Sequence, residues 1–596
     1  MYLNTGKRLG VSHATLEKQS MLRKREKILP DCLFLVCVVL LMSFLYIKGL
    51  GFYGLDWNSA RILSMAKEQS LSGLFEVLYG VHVKMQPGKV FYHVGLYKLF
   101  GLNPLGYHIF NHAVFLLNVL LFYAILRKLY GKRLLCISVV LVYAFLPHYS
   151  SARFWLQGFE FNLALTFYFL SLYADLKTIR ARTAGFWVWK LSSALSLICS
   201  LLIHPIAMAL FLLNPILVWS QTKWRLDEEV NNREQKKSNS FIELIRNNPR
   251  TLFYFQLVFL LPLINLNILT AIDNGTSNFL HIFLHIFEAN YGTYGWGLNY
   301  IHATAIAYGS YGIGLPFVVG STILNHSNIA TFVVAGLLGL ILSFFLYSTS
   351  KRCESGYIDR IYLMKFIKHG FIVFVLGYAA YLIDVRVRFS STGGVNVTAV
   401  AAALGVALTL IGFLGWVSNL FRSDRVRRQS YCIFVTLVCV SGFLVNSHIA
   451  SFWVAANEQQ HKLLDDIQET LPALSLRTTL IIDGQSRYNG PAPVFEANRD
   501  LEGALKLLYQ DNTIRANIVT ADIDINDDRI RISGFGVQNY AFKNLFIYNH
   551  KEKKVYPLTN AKDARQYFEM INPTYKVDGR AGFGEPIFKI KSFVVR

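Results

Sequence analysis

The chain has 596 residues, of which 53% are apolar and only 16% carry a charged side chain. Soluble domains are nearer a quarter charged, so a fully soluble protein is excluded. The net charge of +22 does not mark a nucleic-acid binder, because Lys and Arg fall in short segments between apolar runs, with no soluble platform to carry a basic face.

In chain order, Arg23, Lys24, Arg25 and Lys27 precede an apolar run from Leu33 to about Leu50. No small-residue cleavage site follows, so the run reads as a signal anchor behind a cytosolic tail, residues 1–31. Further apolar runs fall at 107–127, 134–148, 160–176, 188–204, 205–220, 252–271, 328–348, 369–384, 395–417 and 431–449. A bilayer-crossing helix needs about 20 apolar residues, so the chain is predicted to be a polytopic α-helical membrane protein of about 11 transmembrane helices. The two runs meeting at His204-Pro205 also read as one broken helix. The odd count puts the two chain ends on opposite sides.

Every second segment between the runs is basic: Arg127, Lys128, Lys132 and Arg133; Lys177, Arg180 and Arg182; Lys223, Arg225, Arg233, Lys236 and Lys237; Lys351, Arg352 and Arg360; Arg422, Arg425, Arg427 and Arg428. The segment 272–327 contains no Lys or Arg. This alternation follows the positive-inside rule and assigns residues 51–106, 272–327 and everything beyond the last run to the non-cytosolic side. The expected setting is a bacterial inner membrane, with the N-terminus cytosolic and the C-terminal domain periplasmic. Residues 32–450 then form the membrane domain, with long outer loops at 51–106 and 272–327, the latter expected to hold interfacial or re-entrant helices.

Beyond about Ser451 the composition turns polar, and residues 451–596 read as a small soluble α+β domain. Strands are predicted at 479–483, 515–525, 529–535, 544–549 and 586–595, and helices at 499–510 and 562–571, where the apolar period changes from 2 to 3.6. None of the seven cysteines lies in this domain and no Cys-x-x-Cys pair occurs, which argues against a disulfide framework or a zinc ribbon.

The stretch "FYGLDWNSAR" (52–61) places Asp56, the first acid after the first run, at the membrane–water boundary. It reads as a helix cap for the segment that follows or as a base for a reaction at the lipid surface. Downstream, "LYKLFGLNPLGYHIFNHAVFLLNVLLFYAILRKLYGKR" (96–133) reads as a lead-in, an Asn103-Pro104 turn and a span closing in a basic turn.

This stretch, together with the first helix, the Asp56 loop and "AFLPHYSSARFW" (144–155), resembles the polyprenyl-phosphate-dependent glycosyltransferases of the GT-C fold, which include protein O-mannosyltransferases and lipid A aminoarabinose transferases. The resemblance is sharp over 52–155 and diffuse elsewhere. It implies that Asp56 matches the essential acid of the family's first outer loop. Many relatives show two adjacent acids there, and here the neighbour is Trp57. Relatives often carry a Glu in the next outer loop; Ser151 stands near that position, and the nearest acid is Glu160.

Within that reading, Arg386 and Arg388 in "DVRVRFS", with Lys84 and Lys89 of the first loop, are candidates to bind the donor phosphate. They equally suit headgroup anchoring. His82, His93 and Glu160 are candidates for the acceptor side. "HIFLHIFE" puts His281, His285 and Glu288 on one helical face. That set suits a possible divalent metal, although an interfacial helix lining a wet cavity is the preferred reading. The expected function is transfer of a sugar from a polyprenyl-phosphate-linked donor, held with membrane lipid, to an extracytoplasmic acceptor: a surface glycan, a lipid or a protein such as pilin. No nucleic acid is expected as a partner. The rival readings are a transporter or flippase of an isoprenoid-linked glycan, and a non-catalytic scaffold of the same fold.

Overall fold

The computed structural model describes residues 13–67, 69–81, 87–179, 181, 183–231, 292–324, 329–351, 360–379, 381, 389–519, 523–534 and 536–571. The expected span at 252–271 and strand at 586–595 lie outside these residues.

The first half is helical: α1 (His13–Ile47), α2 (Leu55–Ser64), α3 (Leu71–Val81), α4 (Pro87–Phe100), α5 (Pro104–Tyr130), α6 (Arg133–Phe145), α7 (Ser151–Phe154), α8 (Phe159–Thr178), α9 (Thr183–Ile203) and α10 (Leu213–Asn231). After the gap come α11 (Gly292–Thr304), α12 (Leu315–Val318), α13 (Ile329–Lys351), α14 (Arg360–Ala379), α15 (Ala402–Ser418) and α16 (Asp424–Thr470). Among the described residues, seven helical segments are long and apolar enough to cross a bilayer. Asn299–Ile313 and Leu315–Ser321, bent by 75°, make an eighth if taken as one broken span.

Two expected spans are built from shorter pieces. α6 has 13 residues, and it continues through a 3₁₀ turn at Pro147–Tyr149. Every residue of α6 from Leu134 to Phe145 is buried, so this helix is the centre of the bundle. α15 is entered through the 3₁₀ turn Gly394–Ala399. At His204-Pro205 the helix breaks: α9 stops at Ile203, and the His204 ring nitrogen Nδ1 accepts the Ile206 N–H at 3.2 Å. Proline cannot supply the amide that would continue the ladder.

The two ends of the bundle differ. At one end Lys132 lies 4.8 Å over the Tyr362 ring, and Arg133 grips Asp31 through Nε at 2.8 Å. At the other end the chain around residue 53 is pinned from two sides. The Tyr53 hydroxyl donates to the Trp453 carbonyl on α16 at 2.7 Å, and Trp155 Nε1 donates to the Tyr53 carbonyl at 3.1 Å. The buried side chain of Asn396 accepts the Ser151 N–H at 3.0 Å, which fixes the loop between α6 and α8.

α16 has 47 residues, about 70 Å of helix. The expected domain boundary at Ser451 falls inside it, and the first strand starts at Thr479. The C-terminal α+β region comprises β1 (Thr479–Asp483), β2 (Tyr488–Asn489), β3 (Ala492–Pro493), α17 (Asn498–Tyr509), β4 (Arg515–Ile518), β5 (Ile523–Ile525), β6 (Arg529–Gly534), β7 (Gly536–Ala541), β8 (Leu545–Asn549), β9 (Lys554–Leu558) and α18 (Ala561–Ile571). One sheet has the order β4-β1-β8-β9, with β1 parallel to both neighbours in the registers Thr479↔Arg515 and Thr479↔Leu545. β1 is buried along its whole length, as a central parallel strand must be. Leu480 and Ile482 join the apolar cluster that runs on into the helical bundle, while Ile481 faces a second cluster with β6, β8 and α18. The C-terminal region therefore shares a continuous core with the membrane helices.

Candidate functional site

α2 starts from a backbone turn that only glycine adopts easily: Gly54, its N-cap, has φ +53°. Asp56 is thus not the cap. It sits in the first turn, and its Oδ2 reaches back to accept the Tyr53 N–H at 3.1 Å. Holding that turn uses one carboxyl oxygen; the second, Oδ1, makes no hydrogen bond of ordinary geometry among the described residues. Asp56 is 3% exposed.

Burial pushes the Asp56 carboxyl well above the usual carboxylate range. The Tyr53 amide pulls it back, the charge of Asp500 pushes it further up, and Lys89 and the Leu156 amide pull it down. The carboxyl opens on a cavity of about 20 Å³ lined by Phe52, Ser59, Ala60, Leu63, His93, Tyr107 and Leu156. That volume suits one water or one hydroxyl group.

Lys89, on α4, forms an ion pair of 2.7 Å with Glu160 at the start of α8. α4 is held in place by the packing of Val90 and Val94 on Ile62 and Leu63 of α2 and Leu74 and Leu78 of α3. One cation therefore lies in the field of two buried acids, Asp56 and Glu160. Tyr92, one helical turn on from Lys89, stacks on Phe159 at 4.1 Å and closes the side of the site towards α8.

The motif "GLNPLGYHIFN" now has a physical reading. The Asn103 side chain caps α5 by accepting the Leu105 N–H at 3.1 Å, with Pro104 in the first helical position. The Tyr107 hydroxyl donates to the Gly101 carbonyl at 2.7 Å. His108 Nε2 donates to the Gly51 carbonyl at 3.0 Å and so fixes the chain that enters α2. These residues position the Asp56 loop, and Tyr107 alone of them lines the cavity.

Of the sequence-derived candidates, the fold brings together Asp56, Lys89, Glu160 and His93. Lys84, His82, Arg386, Arg388, His281, His285 and Glu288 lie outside the described residues. Among the described residues no group of three or more His, Cys, Asp or Glu side chains is placed to hold a metal ion. The sequence reading missed Asp500, which α17 brings up to α2; residues 56 and 500 share no local pattern through which sequence could join them. It also missed a buried pair inside the bundle, Asp175 and Lys190 at 3.0 Å, with the Asn214 amide donating to the other Asp175 oxygen at 3.2 Å.

No family profile matches the chain, and no curated protein matches it in sequence. Among solved structures it is similar to the lipid-bound ArnT of Cupriavidus metallidurans, crystallised with undecaprenyl phosphate, at 13% identity and a TM-score of 0.34, over 81% of this chain and 89% of that one. It is also similar to the oligosaccharyltransferase of Archaeoglobus fulgidus, tethered to an acceptor peptide containing an NVT sequon, at 13% identity and a TM-score of 0.34. That match covers 75% of this chain and 61% of the other, so this chain spans under two thirds of that protein's length.

Proposed function

We propose that the protein is a membrane glycosyltransferase that moves a sugar from a polyprenyl-phosphate donor to an acceptor on the non-cytosolic side of the membrane. One observation carries the reading: a buried carboxyl, Asp56, on a hydroxyl-sized cavity, beside a lysine that already holds an anion. The resemblance of residues 52–155 to the GT-C glycosyltransferases adds to it.

In this reaction the acceptor oxygen attacks the anomeric carbon, and the bond from that carbon to the phosphate oxygen breaks. The electron pair leaves with the polyprenyl phosphate. The acceptor proton passes to Asp56 Oδ1, whose affinity for a proton burial raises above that of an exposed aspartate. The leaving group is already a stable phosphate, so no strong general acid is needed. Lys89 exchanges Glu160 for the donor phosphate and stabilises the charge that grows there. Arg386, Arg388 and Lys84 remain proposed phosphate ligands, and His82 and His93 proposed acceptor-side groups. The domain assignment and the inner-membrane setting, with a periplasmic C-terminal region, belong to the same proposal.

The test is Asp56→Asn, with membrane insertion verified, in an assay that follows radiolabelled sugar from lipid to acceptor. Transfer drops by about 10²-fold or more, the contribution of a positioned base. Full transfer by the variant overturns the assignment.

A further inference from the structure

The C-terminal region is packed onto the Asp56 loop backbone to backbone. α17 crosses α2 at Gly503, where a Cβ atom would lie 2.8 Å from the Asn58 nitrogen and 2.8 Å from the Trp57 carbonyl carbon. Only a residue without a side chain fits there. Two polar contacts flank the crossing: Arg61 donates to Asn512, just past α17, at 2.8 Å, and Trp57 Nε1 donates to Gln460 on α16 at 3.4 Å.

This crossing sets two acids in matching positions. Asp56 lies in the first turn of α2 and bonds back to the amide three residues earlier. Asp500 lies in the first turn of α17, and its Oδ2 accepts the Ala497 N–H at 2.9 Å, again three residues back. In each, Oδ1 makes no hydrogen bond of ordinary geometry among the described residues, although the Leu156 amide also acts on Asp56 and the Glu496 amide on Asp500. Both are buried, at 3% and 1% exposure. Asp500 Oδ2 lies 3.9 Å from the point where Gly54, the cap of α2, would carry a Cβ.

We propose that Asp500 is a positioning residue of the transfer site: the C-terminal region brings its carboxyl against the first turn of α2, and its charge sets the protonation state of Asp56. The proposal rests on the transferase reading above. On the α17 side the groups facing the pair are Glu496, Tyr488, whose hydroxyl donates to Glu496 at 2.6 Å, and Arg487, whose guanidinium donates to the Glu496 carbonyl at 2.6 Å and to Asn517 at 2.9 Å. On the α2 side the facing groups are Lys89 and, beyond it, Glu160, with His93 and Tyr107 lining the Asp56 cavity and Tyr53 and Tyr92 in the field of Asp56. Burial pushes Asp500 up to about 7, with Glu496 adding to the rise and Arg487 opposing it.

Two buried acids of this kind repel only when both are charged. Each carboxyl binds its proton more tightly in the folded chain than in the unfolded one, so both favour the native state when protonated. For Asp500 that stability is full below its ordinary value of 3.8 and is lost as pH rises through about 7.

The experiment is a double-mutant cycle of Asp56→Asn and Asp500→Asn in the full chain, read as thermal midpoints in lipid nanodiscs from pH 5 to pH 8. Asp500→Asn keeps an oxygen to accept the Ala497 N–H and removes the charge. The expected result is a coupling that grows with pH, the double variant gaining less at pH 8 than the two singles summed. Gly503→Ala, which forces the helices apart and touches neither acid, gives the same flattening of the pH dependence. Effects that add at every pH, with an unaltered slope in Gly503→Ala, overturn the proposal. In the transfer assay Asp500→Asn moves the acid limb to lower pH, and an unmoved limb also overturns it. The cycle needs no substrate, so its failure is distinct from failure of the transferase reading, which the Asp56→Asn assay decides.

Discussion

Lys89 and Glu160 form an ion pair of 2.7 Å between α4 and α8, beside Asp56, with side chains 19% and 8% exposed. A lysine paired this way is positioned and charged before any phosphate arrives. Removing it leaves Glu160 buried without a counter-ion. Lys89→Met therefore destabilises by on the order of 2–3 kcal/mol, less than the ~3–5 kcal/mol of a fully buried pair because Lys89 keeps some exposure to water. The double variant Lys89→Met/Glu160→Gln recovers most of that stability. It does not recover transfer. Thermal melts and the transfer assay on the same samples separate the two effects, and transfer restored in the double variant would remove Lys89 from the phosphate role.

The turn at Gly54 carries a second prediction. Its φ of +53° is strained for any L side chain; the Trp155 ring, 3.8 Å from the Cβ position, is only in ordinary contact, so the cost lies in the backbone. Gly54→Ala costs about 1–3 kcal/mol and tilts the first turn of α2, which holds Asp56. Transfer falls more than donor binding does, because the phosphate side of the site rests on α4. Equal loss of both would show that the turn supports the whole site.

His108 tests the reading of the motif. Its Nε2 bond to the Gly51 carbonyl fixes the entry to α2, and the residue does not line the cavity. His108→Ala is expected to lower kcat by roughly 10²-fold, the effect of about 1 Å of misplacement, with little change in KM for the donor. Unchanged kcat would make the motif a packing element only.

Much of this was legible in the sequence, and the remainder has physical reasons. Asp56, Lys89 and Glu160 lie within one stretch in which loop, turn and span follow each other in order. The β1 and α17 ranges came through because their apolar periods are clean, the helix being predicted at 499–510 and found at Asn498–Tyr509. Residues 515–525, predicted as one strand, divide into β4 and β5 in different sheets. Alternation along the chain does not say which partner each half will bond. β7 was missed because Tyr540 is its one buried residue, and its register with β6 holds it. Asp500 stayed hidden for a related reason. What joins it to Asp56 is a helix crossing at Gly503, and a single glycine in an amphipathic segment carries no such signal.

The bundle holds a second buried pair that decides between transfer and transport. Asp175 and Lys190 lie at 3.0 Å with side chains 3% and 5% exposed, and Asn214 takes the remaining acid oxygen. Every charge-bearing oxygen is satisfied, as in a staple between α8, α9 and α10. Lys190→Ala costs about 3–5 kcal/mol. Asp175→Leu/Lys190→Leu recovers that stability and leaves transfer within about twofold of the parent. Loss of activity in a stable double variant would instead mark the pair as part of a transport path through the helices.

The final prediction concerns pH. A base must be ionised to act, so transfer is full above the proton affinity of Asp56 and is lost as pH falls through it. Burial holds that carboxyl above the usual range, so the acid limb of kcat/KM lies above the value of about 3.9 for an exposed aspartate. The charge of Lys89 opposes the rise. In Lys89→Met the residual activity must therefore show its acid limb at higher pH than the parent, whereas in Asp500→Asn the limb moves the other way. Rate profiles from pH 4 to pH 8 on the three proteins give both directions in one experiment. A limb that stays in place in both variants would show that another group, outside the field of Lys89 and Asp500, takes the proton.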